Sequence, residues 1–548
     1  MKITNLDDLE SYWDGMVPTS FNVKVNKKKV TIVCNTKEQF VLIVGKTEEK
    51  VPGIQIEQVI REKSNELSIR WVRETIERID KLSFQTSAEC QRFVESLSVI
   101  KAIDRKSLGN LSEPIHILAV TWNMGDTAPP ESLESVLCRK LKGEPFKPNI
   151  ITVAVQECSH KPPSGRKTGA HVESVIQNTL GQSYIPLRKK SLSSIRIFIF
   201  VKRDDMVKIS HVERSKEACG IAHVVGNKGA VAIRFNFNET SFCFVGSHLA
   251  AHQEKIGDRN HDFKEILKGL DLGVSHFSID TQFSHVFWMG DLNYRIDLER
   301  DEVIKLIANE DWESLKAADQ LLIERRDSNV FTFWREGDIN FKPTYRFLRG
   351  TDEYDEALGR IPAWCDRIMF KSLPSDASHI EQLEYGSDNS IQTSDHHPVY
   401  GMFQVNTLCS NVLHPKRNLV IQITNLHGDN MVSKDRNGFS DPFVRFHGSI
   451  LEDVVKTKVK RKTLNPVWKN EEVPELIPFI TNNYLERCYI KFVVRDWDRT
   501  SGADNMGQGV IPLAQAYNSK APVPFTSRVT LAGAPAGTLS GSIQIIEK

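Results

Sequence analysis

A chain of 548 residues exceeds what one hydrophobic core ordinarily holds, so two to four domains are expected, and 40% hydrophobic content belongs to a globular protein rather than a disordered or fibrous one. The 71 basic and 70 acidic residues leave a formal charge of +1, too little to draw in nucleic acid or an anionic membrane globally, so any anion binding has to be local. The nine cysteines, with no CxxC pair, read as free thiols of a reducing, cytoplasmic compartment.

The opening MKITNLDDLE has neither a basic n-region nor an apolar h-region, and runs such as IITVAV (Ile150 to Val155) are too short to span a bilayer, so membrane contact is expected to be peripheral. Residues 1–110 begin with short strand-like runs: FNVKV, KKVTIVC, QFVLIVG and LSIRWV. A helix over residues 87–103 follows, on an amphipathic stripe of Cys90, Phe93, Val94, Leu97 and Ile100. Strands closed by one helix resemble a pleckstrin-homology (PH) domain, an α+β fold.

Residues 114–404 alternate buried-type strands (IHILAVT, IITVAVQE, IRIFIFV, GAVAIRF, SFCFVGS, HVFWMGD, DRIMF, VYGMFQV) with helical stretches, the pattern of two packed sheets with helices outside. After a linker containing Pro415, residues 417–548 return to short alternating strands, the pattern of an all-β sandwich.

In the middle region polar residues fall where apolar strands stop. Asn123 follows HILAVTW, Glu157 follows ITVAVQ, His248 follows FCFVGS and Asp291 follows HVFWMG, while Asp395 and His396 precede VYGMFQV. So many ionisable groups at one mouth are costly unless a metal or an anionic ligand compensates them. Hard oxygen ligands such as Asn123 and Glu157 suit Mg2+, and the scattered Cys and His argue against zinc. Asp291 can orient or deprotonate a water; Asn293, His248 and His396 can donate to a phosphate, and Asp366 can fix the ring of His396.

The segments TWNMG (from Thr121), QE (Gln156, Glu157), GNKGAV (from Gly226), SHLAAH (from Ser247), RNHD (from Arg259), WMGDLNYR (from Trp288), FKPTYR (from Phe341), PAWCDR (from Pro362) and SDHHPV (from Ser394) follow one another as in the inositol polyphosphate 5-phosphatases. These belong to the endonuclease/exonuclease/phosphatase superfamily. The resemblance implies a DNase I-like four-layer α/β sandwich of two sheets. It also implies Mg2+-dependent removal of the 5-phosphate from PI(4,5)P2 or PI(3,4,5)P3, with soluble inositol polyphosphates as further substrates.

The roles it implies are Glu157 and Asn123 at the Mg2+, Asp291 at the attacking water, and Asn293, His248 and His396 on the scissile phosphate. Asp366 would orient His396, and Asp395 would support the metal side. Lys342, Tyr345 and Arg346 match the segment that grips the neighbouring 4-phosphate, with Arg295, Arg360 and Arg367 as further phosphate contacts. Lys228 either sits near the site or braces a turn. Ala230 stands where relatives commonly have glycine and His397 where lysine is frequent; neither change removes a catalytic group.

In the last region DRNGFSDPFV, KTLNPVWKNE and VRDWDRTSGADNMG place Asp435, Asp441, Asp496, Asp498 and Asp504 in two loops. Such a cluster repels itself unless a cation fills it. The spacing, with SDPF and LNPVW, resembles C2 domains, which implies Ca2+ binding and docking on an anionic membrane surface. The whole reads as a phosphoinositide phosphatase carried to membranes by its flanking modules. A nuclease shares the Asn, Glu, Asp and His chemistry, but GDLNYR, PAWCDR and the missing basic stripes speak against a nucleic-acid partner. A catalytically dead adaptor is disfavoured because every expected catalytic side chain is present.

Overall fold

The computed structural model describes residues 19–35, 40–44, 48–52, 56–63, 66–73, 76–85, 93, 112–160, 168–219, 227–274, 277–408, 419–435, 438–447, 451, 454–478, 485, 487–497, 503–517 and 519–547. In the N-terminal region seven strands between Thr19 and Ser83 pair antiparallel, among them Thr19–Val25 with Lys28–Asn35 and Glu66–Arg73 with Ile76–Ser83. The helix expected over 87–103 lies outside the described residues apart from Phe93, which is buried with its ring 5.1 Å from that of Phe84.

The middle region consists of two sheets face to face. One runs in the order Tyr184–Leu192, Ile195–Lys202, Ile150–Gln156, Ser112–Asn123, Val399–Leu408, Ile380–Ser387. The other runs Arg335–Glu336, Asp366–Ser372, His285–Asp291, Thr240–His248, Lys228–Phe237, Ile209–Cys219, and continues into the N-terminal strands through one parallel bridge, Val212 to Ile60. Every residue of Ile150–Gln156 and of His285–Asp291 is buried, which is why these segments read as unbroken apolar runs rather than alternating ones.

Successive side chains point to opposite faces of a strand. Ile150 and Ala154 therefore enter the core between the sheets with Ile197, Val231, Phe244 and Phe287, while Ile151, Val153 and Val155 face outward against Val172 and Ile176 of the helix Thr168–Leu180. The helix Ile256–Gly269 covers the other sheet with Phe263, Ile266 and Leu267. Helix, sheet, sheet and helix are the four layers expected.

From Leu419 onward a seven-stranded antiparallel sheet closes around a core that includes Trp468, Phe492, Ile511 and Leu539. This unit packs on the middle one. Asp376 accepts hydrogen bonds from Arg487 Nη2 and Tyr489 Oη, both at 2.9 Å, and Leu373, Tyr489 and Val510 form a small apolar cluster. Lys491 Nζ donates to the Gln282 carbonyl at 2.9 Å, and burial pushes its amine down to about 8. Among the described residues no helix is long and apolar enough to cross a membrane.

Candidate active site

Strand register builds the mouth. Thr240–His248 runs parallel to His285–Asp291, which pairs antiparallel with Asp366–Ser372, so that His248, Asp291 and Asp366 lie directly opposite one another in one row. Directly opposed residues present their side chains on the same face. In the other sheet the parallel pairing of Gln156 with Asn123 brings Glu157 beside Asn123. Gly290 lets the rows approach: its φ is +155°, and a Cβ there would stand 2.1 Å from the Ser247 carbonyl oxygen.

The side chains converge accordingly. Asn123 Nδ2 donates to Asp291 Oδ2 at 2.8 Å, His248 Nε2 stands 3.3 Å from the same oxygen, and the Asn293 backbone N–H donates to Asp291 Oδ1 at 3.0 Å. Asn293 is held at φ +58° with its amide donating to the Leu249 carbonyl, and Arg295 donates to its side-chain oxygen at 2.5 Å. Glu157 also sits in the left-handed region at φ +47°, a conformation that costs a non-glycine residue roughly 1 kcal/mol or more.

His396 Nδ1 and Asp366 Oδ2 are hydrogen-bonded at 2.8 Å, and Thr344 Oγ1 donates to the same oxygen at 2.8 Å. Burial works against a charged imidazole, but Asp366, then Asp291 and Asp395, outweigh it and lift His396 to about 9. Burial likewise opposes the Asp291 carboxylate, yet His248, His396 and Lys228 hold that carboxyl far below its ordinary range. Lys228 hydrogen-bonds His248 Nε2, and burial pushes its amine down although Asp291 and Glu157 oppose the shift.

The donor set fits a hard divalent cation. The Glu157 side chain is 41% exposed at the mouth, and its nearest ion-pair partner among the described residues is His248 Nε2 at 3.9 Å. The Asn123 side-chain oxygen accepts from the Gly125 N–H at 2.9 Å. Asp291, Asp366 and His396 also bring ligand atoms within 4.8 Å of one another, two of the three, Asp366 and His396, being hydrogen-bonded to each other.

The residues expected around the substrate divide. Tyr345 is buried with its ring 4.6 Å from that of His396, and Arg295 lies over the Tyr345 ring at 4.5 Å. At the rim, Arg346 pairs with Asp355 at 3.1 Å and Asp395 at 3.0 Å, and Lys342 with Asp352 at 2.6 Å. Arg360 is exposed on the loop before PAWCDR.

Arg367 corrects the sequence reading. It is fully buried with its guanidinium bonded to Asp319 at 3.1 Å and to both oxygens of Glu336 at 2.6 and 2.8 Å, so its charge is spent inside the fold.

Two residues go beyond the sequence reading. Arg349 Nη2 donates to the Gly125 carbonyl at 2.7 Å and lies 3.4 Å from Asp395; its spacing three residues after Arg346 was the available signal. Arg259, buried, donates to the carbonyls of Ala250, His252 and Gln253 and thereby shapes the SHLAAH loop.

In the C-terminal unit Asp496 Oδ1 accepts from the Asp441 N–H at 2.6 Å, and Asp504 pairs with Asp496 across the strands. Asp435 lies in the neighbouring turn, where its N–H donates to the Phe439 carbonyl at 3.1 Å. Asp498 lies outside the described residues.

Residues 120–402 match the family model described as Endonuclease/Exonuclease/phosphatase family 2, and residues 419–527 match that of the C2 domain. The phosphatidylinositol 3,4,5-trisphosphate 5-phosphatase 2 of Mus musculus is 30% identical over 492 residues, covering 84% of this chain and 38% of that protein. The phosphatidylinositol 3,4,5-trisphosphate 5-phosphatase 2A of Danio rerio is 31% identical over 495 residues with the same coverage.

The crystal structure of the inositol polyphosphate 5-phosphatase domain of spsynaptojanin, in complex with inositol (1,4)-bisphosphate and a calcium ion, aligns with a TM-score of 0.50 at 30% identity, over 59% of this chain and 92% of that one. The chain thus spans 38% of the length of these curated relatives.

Proposed function

The chain belongs to endonuclease/exonuclease/phosphatase family 2 and carries a C2 domain, and from that premise we propose that it hydrolyses the 5-phosphate of phosphoinositides, PI(4,5)P2 or PI(3,4,5)P3, and of soluble inositol polyphosphates. The observation that carries the reading is the row His248, Asp291, Asp366 with His396 hydrogen-bonded to Asp366, opposite an open Glu157. The relatives are named as 5-phosphatases, and the inositol (1,4)-bisphosphate in the synaptojanin complex is what inositol (1,4,5)-trisphosphate becomes on losing its 5-phosphate.

Glu157 and Asn123 would hold Mg2+, which when bound neutralises charge on the phosphate and on the departing oxygen. Asp291 orients the attacking water; a carboxylate so strongly stabilised is a weak base, so orientation is its larger task. His396, His248 and Asn293 donate to the phosphate oxygens as charge builds there. The phosphorus–oxygen bond to inositol C5 breaks as water attacks, leaving inorganic phosphate and the free hydroxyl. Arg295 and Arg259 act through other groups, bracing Asn293 and the SHLAAH loop. Arg346, Arg349 and Lys342, already facing carboxylates at the rim, can exchange those partners for the phosphates on neighbouring ring carbons.

Around the catalytic unit of residues 114–404, the C2 unit of residues 417–548 docks on anionic lipid, through Ca2+ among Asp435, Asp441, Asp496, Asp498 and Asp504 or through the protein's own cations. The N-terminal residues 1–110 form a further, PH-like module, and the enzyme works on the cytoplasmic face of membranes. The test is phosphate release from vesicles carrying each phosphoinositide, beside abasic DNA as competing substrate. Release from 5-phosphorylated lipids alone supports the reading; cleavage of the DNA without lipid turnover moves the chain to the nuclease branch.

A further inference from the structure

Asp496 is fully buried, and while its Oδ1 accepts the Asp441 N–H, its Oδ2 has no hydrogen-bond partner among the described residues. A buried, unpartnered carboxylate oxygen beside a second carboxylate is a cation site in want of charge. Part of that charge comes from the chain itself. Arg461 Nη1 donates to Asp441 Oδ2 at 2.5 Å, the Lys462 N–H donates to Asp441 Oδ1 at 2.8 Å, and the Arg461 guanidinium stacks 4.1 Å from the centroid of the Trp497 ring. Both Asp441 oxygens are therefore engaged by donors that a metal ligand would have to shed.

The geometry is built rather than incidental. The Trp497 backbone N–H donates to the Asp441 carbonyl at 3.0 Å, the Thr463 backbone N–H donates to the Ser440 carbonyl at 2.9 Å, and Lys462 turns the chain at φ +49°. The loops carrying Arg461, Asp441 and Trp497 are thus tied to one another.

We propose that Arg461 is a tethered competitor for the C2 cation site, neutralising Asp441 in the resting domain and leaving it when Ca2+ enters between Asp441 and Asp496. Once released, the guanidinium stands with the tail of the basic run Lys456, Lys458, Lys460 and Lys462, free to meet an anionic headgroup. Arg461 would thus lower the affinity for Ca2+ and, at saturating Ca2+, strengthen the hold on lipid. The proposal rests on the Ca2+ reading of this domain.

The test is calorimetric titration of the full chain with Ca2+ in saturating Mg2+, the Asp441→Asn protein identifying the heat that belongs to the C2 site. Because an exposed Arg–Asp pair is a modest interaction, Arg461→Gln should bind Ca2+ about two- to five-fold tighter, and Arg461→Lys, which loses the fork and the ring stack, should lie between. At saturating Ca2+ Arg461→Gln should bind phosphatidylserine vesicles more weakly than the parent. Equal or weaker Ca2+ binding by Arg461→Gln overturns the competitor role while leaving the Ca2+ site standing. No Asp441-dependent Ca2+ heat in either protein overturns the Ca2+ reading and the proposal with it.

Discussion

Replacing Asp366 by Asn tests the link between the PAWCDR segment and the mouth. The substitution keeps a side chain of the same size beside His396 Nδ1 but removes the carboxylate that lies 2.8 Å away and does most to hold the imidazole charged against burial. His396 is lifted from an ordinary 6.5 to about 9, and by the free energy of one pH unit that difference is worth roughly 3 kcal/mol. Without Asp366, burial should return the ring to 6.5 or lower, so that at pH 7.5 only about a tenth or less of the molecules carry the proton the phosphate needs.

Phosphate release from a soluble inositol phosphate, measured from pH 5 to 10 beside an NMR titration of the His396 ring protons, reads both effects. The alkaline fall in rate should move from near pH 9 to below about 6.5, with activity partly recovered in acid. An alkaline limb that stays near pH 9 in Asp366→Asn refutes the assignment of His396 as the cationic donor. Stability follows the same sign. Because the folded value lies above the unfolded one, His396 contributes stability that is fully present below pH 6.5 and lost as pH rises through about 9.

Glu157→Gln should keep the thermal midpoint of the parent yet lose at least about a hundred-fold in phosphate release at millimolar Mg2+, since it removes the open carboxylate without touching the core; unchanged Mg2+ dependence contradicts its place at the metal. Arg367→Ala should fail by stability, at a cost of about 3–5 kcal/mol for stranding Asp319 and Glu336, seen in urea unfolding. A normal unfolding midpoint with a raised KM would instead return Arg367 to the substrate. Lys491→Met should stabilise the domain junction by up to ~2 kcal/mol, the desolvation cost of the amine less the lost bond to the Gln282 carbonyl. The parent's stability should rise as pH climbs from about 8 toward 10.5, because the unfolded chain keeps the proton that the buried amine has lost, and the variant should lack that rise.

The mouth was legible because its residues close strands whose apolar runs declare themselves. Asn123, Glu157, His248, Asp291 and His396 could each be placed at a strand end without knowing which strands are neighbours, and register then brought them together. What the sequence could not separate was charge facing a ligand from charge facing the interior. Arg367 sits within PAWCDR, yet its partners lie 48 and 31 residues away at Asp319 and Glu336, a pairing that no local pattern displays. Arg349 is hidden for the converse reason: it contacts Gly125 and Asp395, 224 and 46 residues distant, from beyond the end of the FKPTYR segment. Arg461 reads as one more charge in a basic run, and only the fold reveals that it lies against Asp441 and Trp497.

The most direct measurement is the identity of the phosphate removed, followed by 31P NMR on inositol (1,4,5)-trisphosphate with Mg2+ for the parent chain and Asp291→Ala. The account predicts loss of the 5-phosphate resonance alone, leaving inositol (1,4)-bisphosphate, with turnover abolished in the variant. Loss of the 1- or 4-phosphate instead, or equal turnover by Asp291→Ala, contradicts it.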